Sequence, residues 1–233
     1  MSAYNTEGHY EPIIYGIDDK VRKAFIKKVY SILSLQLLIT IGFCCMNMYI
    51  DSVRNFIIRT PSLFWFCLIT SFILLIPLYC YRKNSPKNLI LLTIWTLFES
   101  YTIGLVCSIY SATGNTELVV QAFGITFSVF IILTIFCFQT KYNFSFLGVG
   151  LGCCLWILLI WGIIASIIGF STGFLYSFFG TIIFSLYILY DTSRLINDPN
   201  FNEDEYIFGA INLYLDVINL FLYILDLLGD RRN

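Results

Sequence analysis

Seven long apolar runs, separated by short polar interruptions, account for most of this sequence. They fall at about 29–50, 62–81, 88–110, 118–138, 144–169, 172–190 and 206–228. Each is close to the roughly 20 residues that a helix needs to span a bilayer. The pattern predicts an all-α, polytopic membrane protein: a cytosolic polar and basic tail at 1–28, then a single seven-helix transmembrane domain at 29–233. The stretch 144–190 is almost continuous, and Phe170-Ser171-Thr172 is its expected turn. Pro77 is expected to kink the second helix near its end.

The last run departs from plain hydrophobicity. Steps of four and three residues trace a seam through Glu205, Gly209, Asn212, Asp216, Asn219, Tyr223 and Asp226, which keeps one helical face in register. In a membrane such a polar stripe faces protein or water. A carboxylate at bilayer depth costs at least a few kcal/mol on insertion scales, so Asp216 is a functional-site candidate. The competing reading is interhelical hydrogen bonding, for which asparagine alone would serve.

Composition sharpens the class. Hydrophobic residues make up 58% of the 233 and charged residues only 12%, against about 25% charged in soluble domains. A net charge of −1, without a basic run or zinc-type spacing, gives no handle for nucleic acid. The one histidine, His9, lies in the tail, so histidine triads and zinc centres have no residues to use. Of eight cysteines, Cys44, Cys45, Cys67, Cys107, Cys137, Cys153 and Cys154 fall in apolar runs and Cys80 near a run end. They read as buried free thiols, not as a disulfide framework. The polar start followed by a basic cluster has no signal-peptide pattern, so the first run reads as an uncleaved anchor.

Loop charge gives the orientation. With seven crossings, one side carries Lys20, Arg22, Lys23, Lys27, Lys28, Arg82, Lys83, Lys87, Lys141 and Arg194. The other carries Arg54, Arg59, Arg231 and Arg232. The richer side is expected to be cytosolic, and with it the N-terminus. A final segment that re-enters instead of crossing would improve the tally, but a seventh helix buried among the other six is the favoured reading.

Other polar residues vary in weight. Glu99 is a second deep acid, with Thr102 one turn away on the same face; it serves equally as a structural pairing or as part of an ion path. Glu117 opens the fourth run, where an acid suits a helix N-terminus. Gly148, Gly150 and Gly152 follow no strand and read as close helix packing. Asn202 and Glu205 are spaced to cap the last helix, and no EF-hand spacing accompanies them.

Asp191 ends the sixth run and Asp216 lies ten to twelve residues into the seventh, about 15 Å along the axis. The two can meet if Asp191 lies inward of its apparent end. Two carboxylates in a poorly hydrated site do not readily both ionise; they share a proton and act as a pH switch, and when ionised they offer oxygens to a hard cation. Arg82, at the same face, is the guanidinium placed to oppose them.

The motifs ILYDT around Asp191 and NLYLDVINLF over Asn212–Phe221 resemble those of the transmembrane BAX-inhibitor-motif family. RKAFIKKVYSILSLQLL over Arg22–Leu38 and LVVQAF over Leu118–Phe123 resemble its Golgi anti-apoptotic branch. A richness in Ile, Asn, Tyr and Phe fits an AT-rich coding sequence, such as a viral one. The resemblance implies six helices packed around a central C-terminal helix. It also implies a pH-sensitive, Ca²⁺-permeable leak channel of Golgi and endoplasmic reticulum membranes that lowers stored Ca²⁺ and inhibits apoptosis. Asp191 and Asp216 match the aspartate pair, which would also meet Ca²⁺ transiently, and Arg82 matches a cytosolic latch. Glu99, Asn212, Asn219 and Glu205 are then the pore-lining or ion-path candidates. Expected partners are Ca²⁺ and other cations, the bilayer and further copies of the chain; no enzyme activity and no tightly bound cofactor are expected.

Two rivals come from other classes. A non-conducting membrane adaptor could suppress death signalling through protein contacts. An intramembrane aspartyl protease also pairs aspartates on its sixth and seventh helices, but Tyr214-Leu215-Asp216-Val217 lacks the glycine-x-glycine-aspartate turn, and no proline-alanine-leucine element follows.

Overall fold

The computed structural model describes residues 12–140, 142–169, 173–197 and 206–230, with side chains from Lys20 onward. Among these residues the chain is all helical. Its elements are α1 (Pro12–Tyr49), α2 (Asp51–Arg59), α3 (Pro61–Cys80), α4 (Lys87–Ala112), α5 (Thr116–Gln139), α6 (Leu147–Ile168), α7 (Gly173–Asn197) and α8 (Tyr206–Asp230). All but α2 are long and apolar enough to cross a membrane. The chain is a multi-pass membrane protein. The face on which α1 begins is called the N-side below, and that on which α8 ends the C-side.

Three boundaries differ from those read off the sequence. Helix α1 starts at Pro12, inside the stretch expected to be a tail; proline suits a first helical position, where its missing N–H is not needed. Helix α2 is an additional element. Its nine residues include Asp51, Arg54, Asn55 and Arg59, too polar to register as an apolar run, yet Ile57 is buried. Helix α7 runs on to Asn197, beyond the end of its apolar run. Between α6 and α7, Gly169 and Gly173 have φ of 75° and 66°, a left-handed backbone that suits glycine. The expected turn at Phe170-Ser171-Thr172 lies between them, outside the described residues. The expected cap of Asn202 and Glu205 also lies outside them.

Helix α8 is the interior of the bundle. In its most apolar window 67% of residues are buried, against 17–39% in the other six spans. It is a continuous helix of 25 residues, about 37 Å long at 1.5 Å per residue and sufficient to cross. It packs directly on α7, α5 and α1 and more briefly on α4, while α3 leans on α4 and α6 on α7. Six helices therefore surround it, four in contact and two as outer supports. Outward residues such as Leu38, Phe72, Ile132 and Ile167 are exposed, as suits side chains facing lipid.

Different chemistry joins α8 to each neighbour. Phe221 stacks on Phe123 of α5 with ring centroids 4.3 Å apart. On α1 and α4, Gln36 Nε2 donates to Thr96 Oγ1 at 3.0 Å. Thr40 Oγ1 lies 2.9 Å from both Ser100 Oγ and Tyr214 Oη, and Trp95 meets the Tyr214 ring edge-on. At the N-side, Asn88 Nδ2 donates to Tyr206 Oη at 2.8 Å, and the Lys28 ammonium lies 3.3 Å from the Tyr206 ring centre.

Two packing expectations need correction. All eight cysteines are free thiols, but only Cys44, Cys67, Cys107 and Cys137 are buried; Cys45, Cys80 and Cys153 are exposed. An apolar run has a lipid face as well as a protein face, and hydropathy does not say which residue lies on which. Of the three glycines expected to pack closely, Gly148, Gly150 and Gly152, only Gly148 does so, since a Cβ there would fall 2.6 Å from the Tyr190 hydroxyl. Gly150 and Gly152 have nothing within 4 Å of that point.

A double-mutant cycle of Tyr214→Phe and Thr40→Val, read by thermal unfolding in detergent, is expected to give about 0.5–1.5 kcal/mol of coupling. Additive losses would mean that this hydrogen bond does not hold α8 to α1.

Candidate functional site

Helices α7 and α8 run antiparallel and are joined on the N-side. Asp216 is ten residues inside the start of α8, about 15 Å down its axis. The additional length of α7 beyond Asp191, nearly two turns, carries that residue about 9 Å inward of the helix end. The carboxyl groups come within hydrogen-bonding reach of one another. Exposure is 9% for Asp191 and 5% for Asp216. Asp216 Oδ2 is buried without a hydrogen-bond partner. Carboxylate oxygens are acceptors only, so two facing groups are satisfied by a proton or a cation between them.

The pair lines a cavity of about 390 Å³. Helix α8 contributes Asn212, Leu215, Asp216, Asn219 and Tyr223 to it. Helix α7 contributes Phe184, Tyr187, Tyr190, Asp191 and Arg194, and α6 closes one side with Leu155, Leu158 and Leu159. Asn219 donates its amide to the Leu215 carbonyl at 2.8 Å. The wall is therefore apolar on the α6 side and oxygen-bearing on the α8 side. That is the polar seam of α8, now facing a cavity.

The other sequence candidates lie elsewhere. Glu99 is half-buried between α3 and α4, where its Oε1 accepts a hydrogen bond from Ser71 Oγ. Thr102 does share its face and donates to the Glu99 carbonyl at 2.8 Å. Glu99 does not line the cavity. Arg82 does not line it either; its guanidinium lies 4.4 Å from the Tyr79 ring centre, and its carbonyl accepts from Asn88 Nδ2 at 2.9 Å. Glu205 lies outside the described residues.

The guanidinium at the cavity is Arg194. It stands three residues after Asp191, and Tyr187 four before, so helical spacing already put all three on one face. The sequence signal was present but masked, because the apolar run ends at Tyr190 and Arg194 then reads as loop charge. Among the described residues no group of three or more His, Cys, Asp or Glu side chains is gathered for a metal ion.

The sequence that builds this bundle has known relatives. The family model described as "Inhibitor of apoptosis-promoting Bax1" matches residues 22–233. The chain belongs to this BAX-inhibitor family of anti-apoptotic membrane proteins. It is 37% identical over 228 residues to the "Golgi anti-apoptotic protein" of Vaccinia virus (strain Lister), covering 97% of this chain and 94% of that one. It is 36% identical over 225 residues to human "Protein lifeguard 3", covering 92% of this chain and 71% of the relative. Identity to mouse "Protein lifeguard 4" is 35% over 235 residues, with coverage of 97% and 93%. The membership spans every helix of the bundle except the start of α1.

Asparagine at position 216 can donate where the carboxylate cannot. Asp216→Asn is therefore expected to keep or raise thermal stability, by about 1 kcal/mol. Adding Asp191→Asn should bring less than a second full increment, because the two positions share one contact. A loss of several kcal/mol in either single variant, read by thermal unfolding in detergent at neutral pH, would show that both carboxylates hold donors of their own.

Proposed function

We propose that this protein is a pH-sensitive leak for Ca²⁺, and for other small cations, in Golgi and endoplasmic reticulum membranes. By lowering stored Ca²⁺ it blunts the release that accompanies apoptosis. The observation that carries this reading is the buried Asp191–Asp216 pair, which lines a cavity of about 390 Å³ and in which Asp216 Oδ2 has no hydrogen-bond partner. A bare divalent ion would leave most of that volume empty, so the cation keeps part of its water. A tight calcium site takes six to eight oxygens at fixed distances. Two carboxylates with the carboxamides of Asn212 and Asn219 hold an ion briefly and release it, which is what conduction requires.

The pH dependence follows from the same contact. While the pair shares one proton it carries a single negative charge. Loss of that proton leaves two adjacent negative charges, for which a cation competes. Arg194 is the fixed positive charge beside them and takes the latch role that the sequence reading gave to Arg82. The Golgi address draws on the name of the viral relative, and a cytosolic N-side follows from ten Lys and Arg against four.

The test is Ca²⁺ flux through the purified protein in liposomes, parent beside Asp216→Asn, stepped from about pH 6 to 8, where a shared carboxyl proton titrates. Parent flux should change with pH, and the change should be lost in the variant. Absence of flux from a folded parent would instead favour a non-conducting adaptor. Equal flux from both proteins would remove Asp216 from the mechanism.

A further inference from the structure

The cavity ends towards the C-side on an aromatic row. Tyr223, seven residues beyond Asp216 and so about 10 Å further along α8, is its last α8 lining residue. The Tyr223 ring stacks on Phe184 with centroids 5.6 Å apart and planes at 22°. It tilts against Tyr176, 5.4 Å away, and donates its hydroxyl to that of Tyr176 at 3.1 Å. Tyr176 in turn meets Trp161 of α6 edge-on at 5.5 Å. The row therefore ties α8, α7 and α6 together just beyond the cavity.

The position of the ring depends on Gly180. A Cβ on that residue would fall 2.3 Å from Tyr223 Cδ1, so glycine leaves the seat in which the ring lies flat against α7. Beyond the ring the polar seam resumes. Asp226 accepts a hydrogen bond from Ser177 Oγ, and Ser177 is fully buried. Asn219 on one side and Asp226 on the other are thus separated by one aromatic side chain. A stacked ring offers a hydrated cation no oxygen on its flat contact with α7.

We propose that Tyr223, seated over Gly180, closes the cation path on the C-side, and that the path continues to Asp226 when the ring leaves its seat. This rests on reading the Asp191–Asp216 cavity as part of a cation path. The ring can swing about its side-chain torsions without any helix moving, so closure is local. Ring bulk is what closes the path, while the hydroxyl contact with Tyr176 only steadies it.

The experiment introduces a thiol by Asn219→Cys in the full-length protein. A membrane-impermeant methanethiosulfonate is presented from the C-side, in vesicles sorted by orientation. Labelling is read residue by residue by peptide mass spectrometry, which separates the new thiol from the native ones. With Tyr223 in place the thiol should react slowly. Tyr223→Ala, or Gly180→Ala, which removes the seat but no polar group, should raise the rate at least about ten-fold, and Tyr223→Phe should keep it within about two-fold of the parent, as expected when the open state is a minor population. Should Tyr223→Ala not fold, Tyr223→Leu keeps apolar bulk without the ring and is expected to label faster than Tyr223→Phe. Fast labelling in the parent, or equal rates in all variants, would overturn the proposal. Ca²⁺ flux is measured in parallel on vesicles of the parent and the same Tyr223 and Gly180 variants with Asn219 retained. Faster labelling with no flux from any protein, parent included, would keep the closure and reject the leak; pH-dependent flux with unchanged labelling would keep the leak and reject Tyr223.

Discussion

The structure depends on one constraint: the polar side chains of α8 must not meet lipid. A carboxylate, two carboxamides and the seam beyond them would each be costly against hydrocarbon, so the helix that carries them has to be enclosed. Enclosure explains why α8 is buried far more than any other span. It also explains the division of labour around it. Helices α1, α5 and α7 touch it along their lengths, and the strongly apolar α3 and α6 stand outside them. Their exposed leucines, isoleucines and phenylalanines face lipid instead.

Enclosure alone would be met by sealing every polar group with a partner, and the two faces of α8 differ here. Tyr214 and Asp216 are two residues apart, which places them on nearly opposite sides of the helix. Towards α1 and α4, the Tyr214 hydroxyl is held by Thr40, and Thr40 by Ser100, in a closed set of short hydrogen bonds. Towards α7, Asp216 meets another acid, keeps an unpartnered oxygen and borders empty space. One face is sealed as a joint, and the other borders the cavity on which the proposed function rests. Buried polar groups without partners are uncommon in folded proteins, which sets this face of α8 apart from the one towards α1 and α4.

The supporting residues follow the same logic. Arg194 brings a positive charge to the N-side end of the cavity. Glu99 is drawn off by Ser71 into the α3–α4 contact, where it joins helices instead of lining space. Arg82 belongs to the turn that Asn88 ties to Tyr206, and through Tyr206 to Lys28, so its place is in the N-side fastening of α8.

The sequence by itself determined the class and seven apolar runs, and it favoured the last as the helix that lies inside, a placement that the family resemblance also implied. Run length against bilayer thickness decides the first two, and the i, i+3, i+4 register of polar residues in 206–228 shows that one face of the last helix turns from lipid. It also named Asp191 and Asp216, because acids within apolar runs have few innocent explanations. Only the tertiary structure decided whether the two meet. That depended on where α7 ends, and hydropathy stops at Tyr190 while the helix continues to Asn197. It likewise decided which guanidinium stands at the cavity, since Arg82 and Arg194 share a side of the membrane but lie on different helices' ends. Burial of Cys44 but not Cys45, and close packing at Gly148 but not Gly150, were settled in the same way. In an apolar run every residue satisfies the bilayer, so the choice between lipid face and protein face is made by the neighbouring helix, which local sequence does not encode.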